Sequence, residues 1–363
     1  MCVFAAVCDC VAENYDTMNQ PMLADMTVVS DQLRFRMADE SDIPAIVDLL
    51  KLGLGESRMP KSERYWRWKH VDNPFGQSYN LLATDDTGIV GIRSFMRWKW
   101  RSREREFDSV RGVDTVIHPD YQGQGIFGKL TLQLARHCQD QGVDFLFSTP
   151  NKGSNRAYTK LGWKEAGRLP VSLKVVRPFS LALNLLRKPT TEPGPRPTGD
   201  GSVRYYLNSA GLPDLLAAHD ALHKQEIIAA HTLKTLQWRY QECPVAQYHA
   251  SGVERGGRLR ALLFYRMKQS RAGRELRITD TFIETHAEGK ELERLVKTVA
   301  REQQATYITT GSFGLANIIP GWLTLPKREL GPIVTIHNIA MSDVSPFTGF
   351  AGWSPSLGDL ELF

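Results

Sequence analysis

At 363 residues the chain is long enough for two or three domains, and 42% hydrophobic with 23% charged residues is the balance of an ordinary water-soluble globular protein. A formal charge of +5 is too mild for a dedicated nucleic-acid binder, so no nucleic-acid partner is expected. Five cysteines, an odd number, argue against a disulfide framework. Cys2, Cys8 and Cys10 lack histidine partners for zinc, so no metal site is expected, and a reducing, cytoplasmic setting is the default.

Met1 to Ala12 holds a short apolar run with no basic segment before it. That run is too short to cross a bilayer, and neither a secretory signal nor a membrane partner is expected. Residues 13–30 are polar and patternless. Residues 1–32 are therefore expected to be a disordered extension, or a mis-assigned start with Met22 or Met26 as the true first residue.

Leu33 to Ala38 reads as the first strand. A helix from Ile43 to about Leu52 follows, with Ser41 or Asp42 as its expected cap and Pro44 in its first turn. Tyr65 to Lys69 is helical and ends before Asn73-Pro74. Asn80 to Thr84 and Ile89 to Trp100 form an expected hairpin across Asp85 to Gly88. Within Arg93 to Arg105, basic residues alternate with Trp98 and Trp100. Either this is a strand pair with one solvated face, or it is a rim that attracts an anionic cofactor or acidic substrate.

Val113 to Ile117 is rich in β-branched residues and reads as a central strand, which Pro119 stops. A glycine-rich turn, Gln122 to Gly128, leads into an amphipathic helix carrying Phe127, Leu130, Leu134 and Cys138 and terminated by Gly142. Strand, glycine turn and helix make an anion site. Gly123, Gly125 and Gly128 allow close approach, and successive amides point at one spot at the positive end of the helix dipole. A phosphate-binding loop of nucleotide hydrolases would need Gly-Lys-Ser/Thr, whereas Lys129 is followed by Leu130. Gly123, Gly125 and Gly128 do fit a dinucleotide fingerprint, with Asp144 about 20 residues on.

Val143 to Ser148 is a buried strand, Ser154 to Lys160 a short helix, and Trp163 to Val176 an expected final strand pair. Residues 187–202 are a proline- and glycine-rich linker. Beyond it the pattern repeats weakly: Trp238 to Pro244 echoes Trp68 to Pro74. Strands near Tyr248–Val253, Leu259–Met267 and Leu276–Ile283, a helix carrying Leu292 to Val299 and a strand from Thr306 to Thr309 repeat the order of the first half. There the glycine loop has become Glu284 to Lys290, with one glycine and two carboxylates where a pyrophosphate would lie.

Gln122-Gly123-Gln124-Gly125-Ile126-Phe127 after a strand and a His-Pro turn resembles the pyrophosphate loop of the GNAT acyltransferases. Phe127 departs from the family's Gly or Ala. Arg36 to Pro44 resembles the family's opening, and Asn151, Ser154, Tyr158 and Leu161-Gly162-Trp163 resemble its closing motif. The resemblance implies an α/β (α+β) fold of two mixed-sheet units in tandem, the second lacking the loop. Its expected ranges are 33–180 for the acetyltransferase unit, 203–342 for the degenerate unit and 343–363 for a C-terminal tail.

The resemblance also implies acetyl-coenzyme A as co-substrate, no metal, and an amine acceptor, either a small molecule or a peptide. Val116 and Ile117 would hold the pantetheine arm and Gln122 to Lys129 the pyrophosphate. Asn151 would lie against the cofactor, and Tyr158 would protonate the departing thiolate. The other reading of Tyr158 is an aromatic that plugs the gap between helix and sheet. Asp114 is a candidate base whose pKa burial would raise, though on strand alternation it faces away from Val113, Thr115 and Ile117; a structural or acceptor-binding carboxylate is the other reading. His118 suits a capping or phosphate-side role. Two further readings stay open: an aminoacyl-transferring enzyme of the cell-wall type, and a coenzyme-A-binding sensor without turnover.

Overall fold

The computed structural model describes residues 33–56, 59–186, 202–311 and 331–360. The expected extension at 1–32 lies outside them, as does the linker except for Ser202, which opens a helix. The first half runs β1 (Arg34–Met37), α1 (Ile43–Leu54), α2 (Glu63–His70), β2 (Tyr79–Asp85), β3 (Gly88–Arg101), β4 (Glu106–Ile117), α3 (Ile126–Asp140), β5 (Phe145–Ser148), α4 (Lys152–Lys160), β6 (Lys164–Arg168) and β7 (Val171–Val175). The second runs α5 (Pro178–Leu186), α6 (Ser202–Leu207), α7 (Leu212–Leu222), β8 (Ile228–Ala229), α8 (Leu233–Leu236), β9 (His249–Arg255), β10 (Arg258–Ser270), β11 (Gly273–Ile283), α9 (Gly289–Glu302), β12 (Tyr307–Gly311), β13 (Ile333–Asn338) and α10 (Leu357–Leu360).

The fold is mixed α/β with two mixed sheets. One has the order β1-β2-β3-β4-β5-β13-β6 with β8 on the edge of β3; the other has the order β7-β12-β11-β10-β9. The expected final strand pair does not form. After β6 the chain passes through Leu169 and Pro170, and proline cannot donate to a ladder. It then leaves the first sheet, and β7 pairs with β12 in the second. The place beside β6 is taken instead by β13, which lies antiparallel between β5 and β6. The two sheets thus exchange strands.

Local sequence explains the helix ends. Asp42 stands at the N-cap of α1 without a side-chain cap bond of its own; Asp39 caps the short turn Glu40–Asp42 that leads in, accepting from Ser41 N at 2.8 Å, while Asp42 accepts in return from Asp39 N at 2.9 Å. Ser62 caps α2. In the last part of β3, from Met96 to Arg101, buried and half-exposed residues alternate. Trp98 and Trp100 are buried, whereas Arg97, Lys99 and Arg101 point outward to Asp108 and Glu106 of β4. The basic stripe is therefore a cross-strand ion-pair ladder on the solvated face of a hairpin.

The largest core mixes both halves: Trp68, Trp98, Trp100, Phe145 and Phe147 pack with Trp238, Val334, Phe347 and Trp353. Within the stretch read from sequence as the tail 343–363, Phe347, Trp353, Leu357 and Leu360 belong to this core, and Phe347 and Trp353 are fully buried. At its centre the two tryptophans of the repeated motif stack, with ring centroids 4.8 Å apart. Each indole donates to the other's carbonyl, Trp68 Nε1 to Trp238 O at 2.8 Å and Trp238 Nε1 to Trp68 O at 2.7 Å. Trp68 O lies in the last turn of α2, where carbonyls have no partner within the helix.

This pair should carry a large share of the contact between halves. Trp238→Ala is expected to lower unfolding free energy by about 3–5 kcal/mol, and Trp238→Phe, which keeps the ring but orphans a carbonyl, by about 1–3 kcal/mol. Urea denaturation of the two variants against wild type measures both.

Candidate active site

β4 and β5 pair in parallel only from Ser109↔Phe145 to Arg111↔Phe147. β5 ends at Ser148, while β4 runs on to Ile117, so the last part of β4 turns one edge to an opening. A bulge helps it diverge: the β3–β4 register shifts between Ile92 and Ser94, and Asp114 has φ 36°, unusual for a residue with a Cβ. Val116 is buried where α1 crosses the strand. A Cβ on Gly53 would lie 2.3 Å from Val116 Cγ1, so only glycine allows that approach.

The loop follows directly. The Ile117 carbonyl accepts from Gln122 Nε2 at 3.2 Å, and the Asp120 carbonyl from Gln124 Nε2 at 3.4 Å, so the glutamines brace the turn. His118 caps the Pro119–Tyr121 turn through Nδ1. Gly123 and Gly125 have φ 78° and 73°, and a Cβ at either would face open space. Gln122, Gly123, Gly125 and Lys129 are exposed, whereas Ile126 is buried and anchors the turn. α3 starts at Ile126 with no side-chain cap, so its first amides are unclaimed by any side chain. These amides and the helix dipole favour an anion at the turn.

Phe127 is half-buried and Gly128 follows it inside the helix. The Phe127 ring meets Tyr158 edge-on at 5.7 Å and lies 5.8 Å from the Arg93 guanidinium. The departure from the small residue of the motif therefore fills the space between loop and Tyr158.

At the point where β4 and β5 part, four polar side chains converge: Arg93, Thr115, Ser148 and Tyr158. Arg93 Nη2 donates to Tyr158 Oη at 2.7 Å, and Arg93 Nη1 to Thr115 Oγ1. Ser148 Oγ donates to the Gly112 carbonyl at 3.2 Å. A Cβ on Gly112 would fall 2.3 Å from Ser148 Oγ and 2.7 Å from Arg93 Nη2, which makes glycine obligatory there. Arg93 is fully buried, and burial lowers its pKa from the ordinary value, with Tyr158 pulling the other way. Because a guanidinium only donates, Tyr158 must accept from it, which leaves the phenolic hydrogen free for another partner. The Tyr158 ring packs on Trp163 at 4.3 Å, so packing and hydroxyl chemistry coexist in one side chain.

Asp114 behaves differently from expectation. It sits behind the strand against α2, where Lys69 Nζ reaches its Oδ2 at 2.6 Å and His70 Nε2 at 2.9 Å. Burial alone would raise its pKa, as the sequence suggested. The Lys69 charge and the His70 hydrogen bond outweigh burial and hold the carboxyl far below the ordinary carboxylate range. A carboxylate so strongly held is a poor proton acceptor at neutral pH. Asn151 is exposed and caps α4, accepting from Ser154 N at 2.8 Å.

Sequence reasoning missed Arg93, Ser148, Lys69 and His70 as site residues. Arg93 carried a signal, a charge inside the apolar stretch Ile92 to Phe95 of a central strand. Lys69 and His70 could be found only through the partner that folding brings to them.

Residues 34–166 match the family model described as an acetyltransferase (GNAT) domain. Over this stretch the chain is similar to a GNAT acetyltransferase domain. The chain is 28% identical over 99 residues to the L-amino acid N-acyltransferase MnaT of Escherichia coli (strain K12), a match covering 25% of this chain and 54% of that protein. It thus spans about half the length of that relative. Its fold is similar to a probable N-acyltransferase from Enterococcus faecalis V583, with TM-score 0.61 at 9% identity over 85% of this chain and 73% of that one. It is also similar to a GCN5-related N-acetyltransferase from Anabaena variabilis, with TM-score 0.60 at 12% identity over 85% and 73%. Saccharomyces cerevisiae N-myristoyltransferase with bound myristoyl-CoA matches at TM-score 0.53 and 9% identity, over 89% and 88%.

The Asp114 cluster predicts a specific pH dependence. A depressed carboxyl pKa contributes stability that is complete above the unfolded value near 3.9 and is lost as pH falls below it. Asp114→Asn should cost about 3–5 kcal/mol at pH 7, because it leaves Lys69 buried and unpaired, and the gap to wild type should narrow below about pH 4. Urea midpoints at several pH values test this.

Proposed function

We propose that the chain is an acyl-coenzyme-A-dependent N-acyltransferase, with acetyl-coenzyme A as donor and a primary amine of a small molecule or peptide as acceptor. The observation that carries this reading is the open, uncapped glycine turn at the end of a strand that has parted from its neighbour. The turn offers main-chain donors to a diphosphate. The free edge of β4 at Val116 and Ile117 offers backbone groups to the amide-bearing pantetheine arm. The arm then ends beside Tyr158.

The chemistry is direct attack. The neutral amine nitrogen adds to the thioester carbonyl, the carbon–sulfur bond breaks, and the sulfur takes the free phenolic proton of Tyr158. Arg93 keeps a positive charge next to the oxygen that gives up this proton. With Asp114 engaged by Lys69 and His70, water carries off the amine proton, and no side chain acts as obligatory base.

The second unit has a structural and acceptor-side role in this reading. In place of the loop it has a short turn at His286–Glu288 capped by Thr285. Gly289 has the ordinary helical φ of −57°, and Glu284 is paired with Arg260 and Arg258. That turn has neither the left-handed glycines nor the free charge balance to receive a pyrophosphate.

Two variants test the assignment. Gly125→Glu puts a carboxylate and a strained φ into the turn; it should abolish coenzyme A binding by calorimetry while circular dichroism stays native. Retained affinity would remove the loop from the proposal. Tyr158→Phe should lower kcat by about 10²-fold or more with KM for the donor nearly unchanged. Thiol release from acetyl-coenzyme A and longer acyl donors, read across a panel of amines and amino acids, identifies the acyl group and acceptor. Binding without thiol release on any amine would favour a sensor instead.

A further inference from the structure

The second sheet contains a cavity, with polar side chains on its wall, that the acyl-transfer reading does not use. It opens between β11 and the end of β12 and is closed by the segment 354–359. β11 and β12 pair only from Glu275↔Tyr307 to Arg277↔Thr309, so the opening arises as it does in the first sheet, from a strand that runs on past its parallel neighbour. Here no glycine turn follows, and the cavity wall carries His219, His223, His231, Asp280 and Asp359 instead.

Three of these converge. One ligating atom each from His231, Asp280 and Asp359 lie within 4.8 Å of one another. His231 Nε2 is 3.6 Å from Asp359 Oδ1 and 3.8 Å from Asp280 Oδ1, beyond hydrogen-bonding distance in both cases. Two carboxylates are thus buried side by side, their side chains only 3% and 4% exposed.

The oxygens of each carboxylate are differentiated. Asp359 Oδ2 accepts from Ser356 N at 2.8 Å, whereas Oδ1, which faces the shared point, is buried without a hydrogen-bond partner. Asp280 Oδ2 accepts from the Tyr240 hydroxyl, which leaves Oδ1 toward His231. A Cβ on Gly358 would lie 2.3 Å from Asp280 Oδ2 and 2.7 Å from Tyr240 Oη, so glycine makes room for this hydrogen bond.

We infer that His231, Asp280 and Asp359 form a binding site for a divalent first-row transition ion of the Zn(II) type. One outward oxygen on each carboxylate, the other fixed by an outer donor, is the arrangement that orients metal ligands. In a tetrahedral shell, ligands about 2.0–2.2 Å from the ion sit roughly 3.3–3.6 Å apart, close to the 3.6 and 3.8 Å that separate His231 Nε2 from the two carboxylates. The imidazole selects against calcium and magnesium, and the absence of thiolates from the triad selects against copper(I). Three protein ligands leave a fourth position for water or a small ligand from the cavity. The ion ties together β11, the C-terminal segment and the stretch after β8, itself paired with β3 of the other sheet.

The full-length protein, stripped with chelator and dialysed, is titrated with Zn(II) by calorimetry and with Co(II) by visible absorption. Expected are one tight equivalent per chain, Co(II) bands of low coordination number, and a rise in Tm with metal. His231→Gln and Asp359→Asn should lose the tight equivalent and the Tm rise; Tyr240→Phe should weaken it by about 10–100-fold. Should Asp359→Asn fail to fold, His231→Gln carries the comparison by itself. The site is overturned if wild type takes up no tight equivalent, if His231→Gln binds as wild type does, or if an organic ammonium such as ethylamine stabilises the protein where Zn(II) does not.

Discussion

A carboxylate shared between a lysine and a histidine fixes how the first unit is put together. Asp114 occupies the bulge of β4, and its partners Lys69 and His70 are consecutive residues at the end of α2. The ion pair therefore holds a helix end against the strand at the place where that strand changes direction. On one side the strand leads to the glycine turn. On the other, α2 presents Trp68 to its counterpart Trp238. One buried charge cluster thus links the cofactor strand to the contact between the two halves. Buried ion pairs contribute little net stability when intact, yet are costly to break, which suits a joint that sets geometry.

The two halves are further joined through the end of the described chain. Arg111, on β4, donates to the carbonyl of Asp359 at 2.6 Å and to that of Leu360, while Arg239 donates to Gly358 O at 2.6 Å. These are the carbonyls at the C-terminal end of α10, which no helical amide satisfies. Guanidinium groups from both halves supply the missing donors and add favourable charge at the negative end of the helix. The segment 343–360 is thereby held as an internal wedge.

Much of the first unit was legible in the sequence because its signals are local. β-branched runs, the Asp-Asp-Thr-Gly turn, the helical spacing of Leu130, Leu134 and Cys138, and the three glycines each report on their own few residues. The position of Tyr158 was equally readable from its distance to Gly162. What escaped was non-local. Asp114 showed its burial but not its partners, because Lys69 and His70 are adjacent to it only in space; the sign of its pKa shift turned on that contact. Arg93 showed as one member of a basic stripe, whereas it is fully buried and meets Tyr158. Trp68 and Trp238 showed as a repeat, and nothing in a repeat says that its two copies touch.

The partner of β7 was the largest departure, since pairing between strands far apart in sequence leaves no mark in either. Its consequence lies in synthesis. On the ribosome, β5 and β6 emerge early, yet the strand that fits between them is residues 333–338. Until those residues appear, β5 presents an apolar edge, Phe145 to Phe147, with open main-chain donors and acceptors. The nascent protein must keep this gap from recruiting neighbouring chains for most of its translation. A fold tied off by its own last strand in this way is vulnerable while being made and, once that strand is seated, resists coming apart piecemeal.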